Sequence, residues 1–192
     1  MEALLVSTGV VALAEFGDKT QLLSFVLAAR FRRPGPIIAG ILVATLVNHG
    51  LAGALGTWIT SVLSSGALRW GLGLSFLAMA AWMLMPDKLD EAEAGGSARL
   101  GVFGTTLLVF FLAEMGDKTQ IATVALAAHY VAPLAVVIGT TLGMMVANVP
   151  AVLVGDRLAA RVPMRLLHAV AAVVFALLGV ATLLGAGERF GF

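Results

Sequence analysis

Six long apolar stretches alternate with short polar breaks along the chain, at residues 4–29, 36–62, 68–85, 102–128, 133–154 and 166–184. Each is close to or above the roughly 20 residues that cross a bilayer core as a helix. The pattern predicts an all-α, polytopic membrane protein with six transmembrane helices. Turn-forming residues separate the stretches: Arg32-Arg33-Pro34-Gly35-Pro36, Ser64-Ser65-Gly66, Ala132-Pro133 and Arg161-Val162-Pro163. The remaining separator, residues 86–100, carries Asp87, Asp90, Glu91 and Glu93 together with Gly95-Gly96-Ser97. It reads as a solvated acidic connector between two units, residues 1–85 and 101–192. The first stretch has no basic leader, since Met1-Glu2 runs directly into apolar residues, and it contains charges. It is therefore expected to be a retained helix and not a signal peptide.

Composition sharpens this picture. The chain has 192 residues, of which 60% are hydrophobic and 12% charged, and its mean hydropathy is +1.00. A soluble domain of this size needs more surface charge, so lipid is the expected solvent. The formal net charge is +1 with no basic stripe, which gives no footing for nucleic acid. Cysteine is absent, which excludes disulfides, thiolate metal sites and cysteine nucleophiles. Counting Lys and Arg in the separators gives orientation. Arg30, Arg32, Arg33, Lys88, Arg99, Arg157, Arg161 and Arg165 fall on one side, against Arg69 and Arg189 on the other. The first side should be cytoplasmic, with both termini outside, as in an inner (plasma) membrane protein.

The two halves resemble each other beyond hydropathy. Glu15-Phe16-Gly17-Asp18-Lys19-Thr20-Gln21 matches Glu114-Met115-Gly116-Asp117-Lys118-Thr119-Gln120 at an offset of 99. Leu27-Ala28-Ala29 and Gly40 recur as Leu126-Ala127-Ala128 and Gly139 at the same offset, and Asn48 recurs as Asn148 after a one-residue insertion. Three spans per half is an odd number, so the second half should enter the membrane from the opposite face. The expected architecture is a pair of inverted-topology three-helix repeats, with a site near the midplane where they meet.

All charges at membrane depth lie in the two motifs: Glu15, Asp18, Lys19, Glu114, Asp117 and Lys118. One buried charge costs at least about 2.5–3.5 kcal/mol even on lenient scales, so six need a reason. Internal pairing is one: Glu15 with Lys19, and Glu114 with Lys118, stand four apart and suit ion pairs on one helix turn. Cation binding is the other: Glu15 with Asp18, and Glu114 with Asp117, stand three apart on one helix face, so two such faces make a four-carboxylate cluster. Against two lysines the six charges sum to −2, which one divalent cation balances. Gly17 and Gly116, between the acids, allow either an opened backbone or close helix packing. Thr20, Gln21, Thr119 and Gln120 offer neutral oxygens nearby, as do Asn48 and Asn148, though interhelical hydrogen bonding accounts for such residues equally well. An all-oxygen set suits Mg²⁺, Ca²⁺ and Mn²⁺. The three histidines do not cluster: His129 reads as interfacial, His168 as opening the sixth span, and His49, beside Asn48, either as a core residue with its hydrogen bonds satisfied or as a ligand or proton carrier near the centre.

The duplicated E-x-G-D-[KR]-[ST] signature, in a three-plus-three helix chain with an acidic central connector, resembles a family of small cation/proton exchangers. That family includes bacterial manganese exporters, chloroplast manganese transporters and the Golgi manganese/calcium transporter. The resemblance covers essentially the whole chain, and both motifs match without departure. It implies that Glu15, Asp18, Glu114 and Asp117 bind the cation, and that the chain exports Mn²⁺, with Ca²⁺ as a second candidate, in exchange for protons. The metal is then cargo and not a cofactor, and the partners are cation, proton and lipid bilayer. Three alternatives stay open on sequence: a metal-dependent intramembrane lipid hydrolase, a small-molecule exporter and a divalent-cation channel.

Overall fold

The computed structural model describes residues 1–85, 100–154 and 164–185. The acidic residues of the connector and the arginines at 157 and 161 lie outside the described residues. Eight helices are described: α1 (Glu2–Glu15), α2 (Lys19–Phe31), α3 (Pro34–Val62), α4 (Ser65–Met83), α5 (Gly101–Glu114), α6 (Lys118–Tyr130), α7 (Pro133–Val154) and α8 (Met164–Leu183). Pro34 starts α3 and Pro133 starts α7, where a missing backbone N–H costs nothing. Ser64 caps α4 by accepting the Ala67 N–H.

The expected all-α fold is present, but the first and fourth apolar stretches are not single helices. Each is broken in the middle of its motif, giving α1 then α2 in one half and α5 then α6 in the other. Hydropathy alone reads straight through these breaks because both flanks are apolar. Among the described residues, three helices are long and apolar enough to cross a membrane: Pro34–Val62, Pro133–Val154 and Arg165–Leu183. The shorter α5 is likewise apolar.

The halves interdigitate instead of packing side by side. Helix α1 lies against α7 and α5 lies against α3, so the first helix of each half meets the long helix of the other. Close approach at these crossings depends on glycine. A Cβ on Gly139 would stand 2.6 Å from the Leu4 carbonyl oxygen, and one on Gly40 would stand 2.8 Å from Thr106 Cβ. Ser7 and Thr106, which face these two glycines, are themselves related by the 99-residue offset. The third helices, α4 and α8, pack on each other around Phe76 and Phe175, whose ring centroids are 6.3 Å apart.

Polarity is distributed inside out relative to a soluble protein. Leu42, Val43, Leu46, Val47, Leu51 and Leu55 form an exposed apolar face on α3, while Glu15, Asp18, Glu114, Asp117 and Lys118 are buried. Apolar surface this continuous suits lipid, and charges buried beneath it make a candidate functional site.

Candidate cation site

The motif residues themselves break the helices. Phe16 and Met115 leave the helix with extended backbone, at φ −64°, ψ 115° and φ −66°, ψ 114°. Gly17 and Gly116 follow at φ +84° and +77°, a left-handed conformation that side chains with a Cβ disfavour. Asp18 and Asp117 return to extended backbone as N-cap residues of α2 and α6. Two breaks a hundred residues apart therefore agree within a few degrees. Each is held the same way: the Gly17 N–H donates to Gln21 Oε1 at 2.9 Å, and the Gly116 N–H to Gln120 Oε1 at 2.7 Å. In both, the backbone N–H of the aspartate donates to the carbonyl of the glutamate at 3.1 Å.

The breaks bring acids from both halves together. Glu15, Glu114 and Asp117 are buried, and one carboxylate oxygen from each lies within 4.8 Å of the others. Oxygen ligands sit at about 2.3–2.6 Å from Ca²⁺ and somewhat closer to smaller cations, so oxygens on opposite sides of one ion are about 4–5 Å apart. The cluster has that span. Thr20 Oγ1 donates to Glu15 Oε2 at 2.6 Å, and Thr119 Oγ1 donates to Glu114 Oε2 at 3.2 Å. Each motif threonine thus fixes one oxygen of its own glutamate. The other oxygen, Oε1 of both Glu15 and Glu114, is buried without a hydrogen-bond partner. A buried carboxylate oxygen left in that state is costly unless a proton or cation comes to it.

The chain is similar to known proteins over nearly its whole length. The family model described as "Divalent cation/proton antiporter GDT1" matches residues 3–91 and 102–189. The chain belongs to the GDT1 family. A Vibrio cholerae protein named "Putative manganese exporter" is 51% identical over 183 residues, covering 95% of this chain and 90% of that protein. GDT1-like protein 3 of Oryza sativa subsp. indica is 30% identical over 202 residues, covering 91% and 71%. A GDT1-like protein of Synechocystis is 29% identical over 188 residues, covering 88% and 91%. No solved structure matches the chain. Family membership makes this chain a membrane transporter and not an enzyme, which removes the lipid-hydrolase alternative. Its substrates as a GDT1 protein are divalent cations and protons.

The remaining motif residues of this GDT1 protein take distinct places. Asp18 does not join the three-acid group; it is buried 3.8 Å from Lys118 Nζ, an ion pair that links the two motifs. Lys118 is itself buried and also donates to the Met85 carbonyl at 3.3 Å, whereas Lys19 is half-buried. The two sequence-based helical readings need correction. Neither a Glu15–Lys19 nor a Glu114–Lys118 pair on one helix turn exists, because each glutamate ends one helix and each lysine begins the next. For the same reason Glu15 and Asp18 share no helix face, nor do Glu114 and Asp117; the acids of one break are displayed by a loop.

The asparagines divide their roles. Asn148 Nδ2 lies 3.5 Å from Glu15 Oε2 and donates to the Met144 carbonyl at 3.1 Å, while its Oδ1 accepts from Ser24 at 2.8 Å. Asn48 braces the second break instead: it donates to the Phe111 carbonyl at 3.0 Å and accepts from Gln120 Nε2 at 3.4 Å. Gln21 Nε2 ties the first break to the Ala147 carbonyl at 3.1 Å. The histidines also differ from expectation. His49 is fully buried with neither ring nitrogen bonded, so it is not the satisfied core residue its setting suggested. His168 places Nε2 2.7 Å from the Phe16 carbonyl, inside the first break. Its spacing from the motif gives no sign of this, though its offset of 99 from Arg69 was legible.

Proposed function

We propose that this GDT1 protein exports Mn²⁺ from the cytoplasm in exchange for protons, with Glu15, Asp18, Glu114 and Asp117 as the acids that exchange one for the other. The observation that carries this reading is the meeting of Glu15, Glu114 and Asp117 from two separate helix breaks, with Oε1 of each glutamate buried and unpartnered. Oxygens so placed take either a cation or protons. A cation bound between them requires ionised carboxylates, and proton arrival neutralises them and releases it. Asp18, paired with Lys118, is the fourth acid; the lysine ammonium stands in for positive charge when the cation has left. Thr20 and Thr119 hold the glutamates in place through either state.

In the same reading the chain crosses the inner membrane six times. Each broken pair, α1 with α2 and α5 with α6, makes one crossing, because two helices of 14 and 13 residues rise about 40 Å together. The halves then form inverted repeats with both termini outside, and the site opens to either face as the halves rock. The manganese preference is supported by the name carried by the 51% identical Vibrio relative and by an oxygen-only donor set. Ca²⁺ fits the same donors and is a second substrate. The decisive experiment uses proteoliposomes with an acidic lumen and Mn²⁺ outside. Mn²⁺ entry should occur together with alkalinisation of the lumen. Entry without proton movement across a proton-tight membrane would leave a channel or uniporter.

A further inference from the structure

Lys118 begins α6, where an ammonium meets the positive end of its own helix and gains nothing from it. Its stabilisation comes from other elements. Nζ lies 3.8 Å from Asp18 Oδ1 in the first break, donates to the Met85 carbonyl at 3.3 Å and stands 6.0 Å from the centre of the Trp82 ring. An ammonium has three N–H donors and no acceptor, and a carboxylate, a carbonyl and a ring face can receive them. Met85 follows α4, which ends at Met83, so its carbonyl lies at the negative end of that helix and outside its ladder. One buried ammonium thus joins the first break, the helix after the second break and the C-terminal end of α4. The repeat does not duplicate this junction. Lys19 begins α2 in the same way and is half-buried, but Met85 and Trp82 correspond at the 99-residue offset to Leu184 and Ala181. Those residues lie at the C-terminal end of α8, whereas the first break meets the N-terminal start of α8 through His168. At 1.5 Å per residue, the two places are about 24 Å apart along the helix. A Cβ on Gly73 would meet Leu183 and one on Gly179 would meet Leu77, so α4 and α8 run antiparallel. The C-terminal end of α4 therefore lies beside the start of α8. There His168 holds α8 through a neutral carbonyl, while Lys118 holds α4 through an acid of the site.

We propose that Lys118 is a latch that locks the unloaded carrier: without a cation its ammonium, paired with Asp18, holds the C-terminal end of α4 against the site, and a cation taking Asp18 releases it. Two positive charges compete for Asp18, the Lys118 ammonium and, in the exchange proposed above, the cation. A divalent cation at Asp18 takes the counterion from the ammonium and sets like charge beside it, which weakens the contact with Met85 and Trp82. The end of α4 is then free to lift. An exchanger leaks if its unloaded form changes face, so a lock confined to that form serves coupling. Lys118 acts through Asp18 and α4 and does not touch the cargo, which makes it a positioning residue.

The release step rests on the antiport reading above, which makes Asp18 a cation acid, and its test does not use transport as its readout. The chain has no native cysteine, so Met83→Cys, at a residue 1% exposed in the last turn of α4, gives a single reporter. The full-length protein is placed in lipid nanodiscs and labelled with N-ethylmaleimide, either in chelator or in saturating Mn²⁺. Labelling should be slow in chelator and at least about tenfold faster in Mn²⁺, the population change expected for losing one hydrogen bond to a charged group. Adding Lys118→Gln or Asp18→Asn should make labelling fast in chelator, and Mn²⁺ should then add nothing. A contact that only supports the fold would give no Mn²⁺ response in the unsubstituted latch. Leu72→Cys, at a buried residue three turns earlier on the same helix, should label slowly under every condition. Mn²⁺ that binds, by isothermal titration, without speeding Met83→Cys labelling overturns the proposal. So does equal acceleration at Leu72→Cys, or a Lys118→Gln variant that still labels slowly in chelator. Should Lys118→Gln not fold, the Mn²⁺ response of the unsubstituted latch decides. Absence of Mn²⁺ binding to the unsubstituted protein would instead overturn the antiport reading, and the release step with it, while the Lys118→Gln arm still shows whether the ammonium holds α4.

Discussion

The residues proposed to carry the chemistry were legible because charge at membrane depth is expensive, and the sequence reading places that charge in two seven-residue motifs. What the sequence concealed is how unequally those charges act. Glu15, Glu114 and Asp117 share one cluster, while Asp18 faces Lys118. Helical spacing could not reveal this, since the helix does not continue through the motif. Glu15→Gln, Glu114→Gln and Asp117→Asn should each reduce Mn²⁺ transport at least about tenfold, because a carboxamide is a poorer ligand and carries no exchangeable acid proton at neutral pH. Asp18→Asn should also impair transport and, by removing the carboxylate 3.8 Å from the buried Lys118 ammonium, should lower stability as well. Transport in proteoliposomes and thermal unfolding in detergent separate the two effects. Full activity in any two of the four variants would end the shared-site reading. The threonines give a finer test. Thr20→Val and Thr119→Val remove the hydrogen bond that fixes one glutamate oxygen and should weaken Mn²⁺ binding by about five- to tenfold. Thr20→Ser and Thr119→Ser, which keep the hydroxyl, should bind nearly normally.

At the level of elements, the helix break is the feature that makes the site. A continuous helix would occupy its own backbone groups and hold the two acids of each motif to one stripe. The break frees the Phe16 and Met115 carbonyls and lets the acids turn toward the other half. Its signal was present in the sequence as glycine followed by aspartate, a left-handed residue leading into an N-cap. It was masked by the apolar flanks that make residues 4–29 read as one span. Gly116 has open space where a Cβ would go, yet its φ of +77° is unfavourable for any other residue. Gly116→Ala should therefore destabilise by about 1–2 kcal/mol through backbone strain alone, visible as a lowered unfolding temperature with no steric clash to blame. Gly139→Val acts differently: its Cβ would meet the Leu4 carbonyl at 2.6 Å and separate α1 from α7. That variant should lose folded protein, measured as monodisperse material after detergent extraction, whereas Gly116→Ala should be recovered.

For the whole molecule, the repeat was legible from the constant 99-residue offset, and the matched dihedral angles of the two breaks give it structural form. The interdigitation of the halves was not legible, because hydropathy reports that a helix is apolar but not which neighbour it meets. Interdigitation matters for coupling. In the proposed exchange the acids that would share a cation come from opposite halves, so a bound cation would tie the halves together and its exchange for protons would release them. Proton and cation then compete at equilibrium, and the sign of the pH effect follows. Binding requires ionised carboxylates, so it expels protons, and acid opposes it. Mn²⁺ affinity should weaken as pH falls, by about tenfold per pH unit where one proton is displaced and about a hundredfold where two are. Isothermal titration of the detergent-solubilised protein across pH 6 to 8 measures this slope directly. Repeating it on Glu114→Gln should flatten the slope, since one exchanging acid has been removed, even if residual binding persists. A slope that is flat in the unaltered protein would mean that protons and Mn²⁺ do not share the cluster formed by Glu15, Glu114 and Asp117. Rocking of the halves would then have to be coupled to protons somewhere else.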